Sequence, residues 1–233
     1  MSVEGAPREN ARGRFIRGRL VGAAAIAFAV SVVIENAVLG AASAPTFGAP
    51  IEEVLAHYAA NRDSVAVATG LVALELPLLL VFVTGLHGLV KRRGGAGADW
   101  SRLVLVAGAT LSAIFALVNV LQIGLALFAG GLAEPTPTFE LIWRLHAAAF
   151  AFVLPALGAT FIGAALAAHA SGLTPAWQRL LGLVGGSLLL AAGIGNLAIA
   201  DGSALIFVGL AGFAAWLVWL LATGVRLVRS DVD

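Results

Sequence analysis

The sequence predicts an all-α, polytopic membrane bundle of six transmembrane helices, and three observations carry that prediction. Hydrophobic residues make up 60% of the 233 and charged residues only 12%, more apolar surface than a water-soluble domain of this length can hide in one core. The apolar residues gather into six runs, each close to or above the roughly 20 residues that cross a hydrocarbon layer of about 30 Å. Arg and Lys then fall at one set of run ends: Arg8, Arg12, Arg14, Arg17 and Arg19 before the first, Lys91, Arg92, Arg93 and Arg102 between the second and third, Arg179 before the fifth, Arg226 and Arg229 after the sixth. Only Arg62 and Arg144 lie on the other side, so the positive-inside rule puts both termini in the cytoplasm; the expected location is the cell's inner (plasma) membrane.

Residues 1–19 are arginine-rich and polar, which reads as a disordered cytoplasmic tail anchored to lipid headgroups and not as a nucleic-acid binder. The first span, about 20–43, ends in LGAASAP. Its small residues resemble a signal-peptidase site, but the run is longer than a signal core and contains Glu35 and Asn36, so we expect a retained helix. After Pro50, Ile51, Val54, Leu55 and Tyr58 follow at helical spacing. They predict a short outer interfacial helix over about 50–62, with Glu52, Glu53, His57 and Asn61 toward water. The second span, 65–90, carries Glu75 near its centre, two residues before Pro77, where a kink is expected to free a backbone carbonyl. The third, 103–130, has Asn119 and Gln122 on one face. The fourth, 140–167, begins with Glu140, Arg144 and His146. The fifth, 180–200, has Asn196 near its outer end, and the sixth, 204–225, has no ionisable residue in its centre but two tryptophans, Trp216 and Trp219, for packing or anchoring. A cytoplasmic tail, 230–233, ends the chain.

Three spans share a register. RLVGAAAIAFAVSVVIEN from Arg19, RLVLVAGATLSAIFALVN from Arg102 and RLLGLVGGSLLLAAGIGN from Arg179 each place asparagine 17 residues after the arginine, at Asn36, Asn119 and Asn196. The pattern fits three repeated helical hairpins, around a pseudo-threefold axis or in a row; positive-inside charge and chance are the competing account.

In depth order, Glu35, Asn36, Asn119, Gln122, Arg144, His146 and Asn196 occupy the outer half, with Glu75 beneath them. This asymmetry predicts a polar, outward-facing pocket formed by those eight residues and closed on the cytoplasmic side. Arg144 has three available partners: Glu140 one turn away, Glu35 or Glu75 across the bundle, or the anionic end of a ligand. Because His146 lies about 200° around the helix from Arg144, one helix face cannot present both. Absence of cysteine excludes disulfides, thiolate nucleophiles and cysteine-ligated metals. No HExxH, GxSxG or phosphate loop is present, so the sequence requires no enzyme chemistry and no cofactor or metal is predicted. The expected function is binding or transport of a small molecule, lipid or ion. A structural or regulatory subunit, with a homo-oligomeric or other membrane protein partner, is one alternative. A redox protein holding quinone, or b-type haem on pairs among His57, His87, His146 and His169, is another.

WRLHAAAFAFVLPALG at 143–158, SGLTPAWQRLLGLVGG at 171–186 and WLVWLLATGVRLVR at 216–229 resemble small actinobacterial integral membrane proteins grouped as a domain of unknown function with six helices. The resemblance covers roughly the last 100 residues. It implies a six-helix fold, no established activity and no catalytic residues to carry over.

Overall fold

Each of the six apolar runs folds into a helix, and the two shorter helices lie in the connections. A computed structural model describes the backbone of residues 6–229 and the side chains from Gly18 onward. Its helices are α1 (Ala6–Ala41), α2 (Ile51–Ala60), α3 (Arg62–Arg92), α4 (Ala98–Ala129), α5 (Pro137–Ala170), α6 (Ala176–Ile194), α7 (Asn196–Ala200) and α8 (Ile206–Arg229). Six of them are long and apolar enough to cross a membrane: α3 to α6 and α8 over their full lengths, and α1 from Gly18. Large aliphatic and aromatic side chains such as Val33, Leu74, Val106, Val120, Phe152 and Val218 stay exposed on the outer faces. That is the surface a lipid-solvated bundle needs and a water-solvated one avoids.

The contacts close into a ring. In chain order each spanning helix packs on the next, and α8 returns to α1. Small residues allow three of these seams to reach backbone contact. A Cβ on Gly22 of α1 would lie 2.6 Å from the Gly224 carbonyl of α8, one on Gly186 of α6 would lie 3.0 Å from the Gly158 carbonyl of α5, and one on Gly212 of α8 would lie 2.5 Å from the Gly185 carbonyl of α6. Close approach of this kind replaces the hydrophobic effect as the force that associates helices in lipid. Lower in the ring, Gln178 of α6 donates to the Thr223 hydroxyl of α8 at 3.1 Å, with both side chains buried.

Three elements differ from expectation: α1, α6 and α2. The backbone is helical from Ala6, so the arginine-rich stretch from that residue continues α1 instead of forming an irregular tail; residues 1–5 and 230–233 lie outside the described residues. Helix α3 continues through Pro77 and α5 through Pro155, so neither proline ends its helix. The fifth span stops at Ile194 instead of residue 200. Gly195 caps it, in contact with Leu205, and Asn196 starts the separate five-residue α7. Two glycines bracketing Ile194 weaken the helix where the Pro155 ring presses on Gly193, at 2.6 Å from where its Cβ would be. Finally, α2 leads into α3 through the single residue Asn61, and its His57 is buried instead of facing water.

Candidate functional site

The same helical period that seals the ring also lines a cavity inside it. Phe28, Val32, Glu35, Asn36 and Leu39 form one stripe of α1, and Leu111, Phe115, Val118, Asn119 and Gln122 form one stripe of α4. Corresponding stripes from α5, Trp143 to Leu157, and from α8, Ile206 to Trp216, complete a wall around about 240 Å³; α6 contributes nothing among the described residues. Because the α1 residues are near its C-terminus and the α5 and α8 residues near their N-termini, the cavity lies in the half of the bundle opposite Lys91, Arg102, Arg179 and Arg226.

Most of the lining is apolar, which makes its few polar groups informative. Glu35, Asn119 and Gln122 retain only 7 to 8% exposure, and none makes a side-chain hydrogen bond within the described residues. Buried polar groups are normally paired. These three instead present a carboxyl and two carboxamides to the enclosed space. Asn36 spends its amide on the Val32 carbonyl at 2.9 Å and keeps its side-chain oxygen for the cavity. Glu75 is fully buried with neither carboxyl oxygen paired, outside the lining but near Glu35, with the Ser31 hydroxyl beside it.

A roof of rings covers the cavity. Phe47, from the α1–α2 connection, sits 5.6 Å from Trp143, 5.9 Å from His146 and 5.2 Å from Phe150 between ring centroids. His146 stacks on Trp143 at 5.4 Å and 17°, and Tyr58 meets Trp143 edge-on at 6.4 Å. Burial lowers the pKa of His57, partly offset by the backbone of Ala42, and raises that of the Tyr58 phenol well above its ordinary range. Both roof residues are therefore neutral near pH 7. The floor is another ring cluster: Trp216 and Trp219 stack at 5.6 Å and 9°, and Phe82 of α3 and Phe161 of α5 each meet both indoles edge-on. All four rings are fully buried and pack together beneath the cavity.

Of the eight sequence-predicted residues, Glu35, Asn36, Asn119, Gln122 and His146 line one cavity. Glu75 lies outside the lining. Arg144 turns away: its guanidinium bonds the Glu140 carboxylate at 2.8 Å on the exposed side of α5. Asn196 begins α7 and does not reach the cavity. Sequence reading missed Phe47, His57 and Tyr58. Tyr58 was already assigned to the apolar stripe of α2, whereas nothing local in the connection marks Phe47 as a lid. His87 and His169 are engaged at the opposite end, His87 with Ser101 at 2.9 Å and His169 with the Thr174 carbonyl at 3.1 Å.

Fold and site together define a six-span membrane protein with a small, aromatic-walled internal cavity bearing an acidic group. The chain matches no family model, no curated protein and no solved structure.

Proposed function

We propose that the protein binds a small molecule in this cavity, from the outer side of the cell's inner (plasma) membrane, as a receptor or carrier. The observation that carries the reading is the set of unpartnered buried groups, Glu35, Asn119 and Gln122, converging on an enclosed space of about 240 Å³. Ligand sites are mostly apolar pockets with a few oriented polar groups, and this is that composition. The concentration of Arg and Lys at the opposite end supports the outward orientation. The ring order, in which three successive hairpins close on one another, favours the repeated-hairpin origin around an axis over a row.

Native mass spectrometry of gently extracted protein tests the binding. A discrete extra mass, lost when Asn119→Trp fills the cavity in a protein that still melts cooperatively, supports it. Bare protein associated only with itself or a second polypeptide would favour a structural subunit. Because the chain has no cysteine, orientation is testable by single-cysteine labelling. A membrane-impermeant maleimide should reach Ala133→Cys but not Ala96→Cys in intact cells, and the reverse would invert the topology.

A further inference from the structure

We infer that the ligand is a small apolar organic cation, such as an aryl-alkyl ammonium, held by Glu35 against aromatic faces. The inference rests on the binding reading above and adds the ligand's charge and shape.

Charge comes first. The only ionisable lining groups among the described residues are Glu35, Tyr58, His57 and His146. Arg144, the one fixed cation that its position in sequence places at this depth, faces outward to Glu140. Glu35 is 93% buried (7% exposed), has no hydrogen-bond or ion-pair partner and has a second carboxyl, Glu75, close by. A cationic ligand would supply the counter-charge that an ionised Glu35 lacks, whereas an anionic ligand would bring a like charge against it in low dielectric.

The walls point the same way. Phe28, Phe47, Phe115, Phe150, Phe213 and Trp216 border the space, and aromatic faces attract desolvated ammonium groups through the ring quadrupole. The carboxamides of Asn119 and Gln122 add acceptors for N–H donors. Size limits the molecule. A dry cavity of roughly 150 Å³ takes up benzene, so about 240 Å³ fits one ring and a short ammonium chain.

Access is from the side. The exposed lining residues are Asn36, Ala44 and Leu210, from α1, its following connection and α8. These two helices are in backbone contact at Gly22 and Gly224, toward the opposite end, and Gly48 touches Gly202 above. The mouth therefore lies between α1 and α8, bordered by lipid-facing residues, a route suited to an amphiphile partitioned in the membrane.

The test is a charge series of similar shape, measured by calorimetry on the protein in nanodiscs against empty nanodiscs: 2-phenylethylammonium, 2-phenylethanol and 3-phenylpropanoate. The ammonium ion should bind at least about tenfold more tightly than the alcohol, with the carboxylate weakest. Glu35→Gln, nearly isosteric, should bring the ammonium to within about threefold of the alcohol measured on the same variant. Alcohol binding as tight as the ammonium, or tighter carboxylate binding, overturns the cationic class and leaves the cavity reading standing. An ammonium preference that survives Glu35→Gln overturns Glu35 as the counter-charge. If no member of the series binds, the inference falls; the extra mass in native mass spectrometry then decides separately whether the cavity reading falls with it.

Discussion

Replacing Glu75 with methionine should stabilise this protein, an unusual expectation for a fully buried position. Glu75 has no exposed surface, neither carboxyl oxygen has a partner, and the Ser31 hydroxyl next to it is also unpaired. Leaving a buried polar group unsatisfied costs about 1–3 kcal/mol, and an acidic side chain at the centre of a membrane helix costs about 2.5–3.5 kcal/mol on insertion scales. Methionine has nearly the same length and bends to fit irregular space, and such volume-conserving swaps usually cost less than about 1.5 kcal/mol. The balance predicts a gain of about 1–2 kcal/mol for Glu75→Met, whereas Glu75→Gln retains an unpaired polar group and should remain within about 1 kcal/mol of the parent. The assay is equilibrium unfolding by SDS titration in mixed micelles, followed by tryptophan fluorescence. Destabilisation of Glu75→Met by about 2 kcal/mol or more, with Glu75→Gln unchanged, would refute the reasoning. It would mean that the carboxyl forms in the membrane a bond that only an acid or amide supplies.

The remaining expectations concern the seams, the surface and the roof. Gly224→Leu would put a Cβ 2.8 Å from the Gly22 carbonyl and 2.7 Å from Ile26. Since backbone cannot step aside, it should cost about 1–3 kcal/mol or more in the same titration. Removal of the Gln178–Thr223 bond through Gln178→Leu and Thr223→Val, combined in a double-mutant cycle, should give a coupling of about 0.6 kcal/mol, typical of interhelical hydrogen bonds in membranes; zero coupling would show the bond is not made. Arg144→Ala should leave stability within about 0.5 kcal/mol, because its pair with Glu140 is exposed, and should leave ligand binding unchanged. The roof carries a pH dependence of definite sign. Burial depresses the folded-state pKa of His57 below its ordinary 6.5, so the unfolded chain binds the proton more readily. The stability this neutral ring supports is complete above that value and is lost as pH falls through the lower folded pKa. Melting curves of the parent should therefore drop more steeply below pH 6.5 than those of His57→Phe; parallel curves would count against the buried placement.

What the sequence revealed follows from which physical quantity each feature depends on. Span number and the position of α2 depend on run length and period, which are local, and they were readable. Where a helix ends inside a span depends on contacts with residues distant in sequence. The end of α6 at Ile194 falls between Gly193 and Gly195, which Pro155 and Leu205 approach from elsewhere in the chain, and no window around Asn196 contains those neighbours. Depth was likewise readable for Glu35, Asn119 and Gln122, because rise per residue fixes it. The azimuth that decides whether a polar residue faces the cavity was readable only where apolar neighbours set a stripe. Phe47 lies in a connection with no period and gave no signal.

The division between Arg144 and His146 shows how azimuth fixes the site's chemistry. Two residues apart on a helix, they point about 200° from one another, so at most one can face the interior. Arg144 has Glu140 four residues before it on the exposed side and can meet its charge there without leaving the surface. An inward Arg144 would have had to pair with Glu35 or Glu75 in low dielectric, at a desolvation cost for both ions, and would have left Glu140 alone. His146 has Trp143 three residues before it, Phe150 four after it and Phe47 reaching over from the α1–α2 connection, and its ring stacks into that cluster. Burying an aromatic ring there costs far less than burying a guanidinium. The helix therefore rotates the histidine in and the arginine out, which keeps the guanidinium of Arg144 off the cavity wall. Among the described residues Glu35 is then the one carboxyl on the cavity wall, a selection made by helix rotation that the list of polar residues at this depth does not specify.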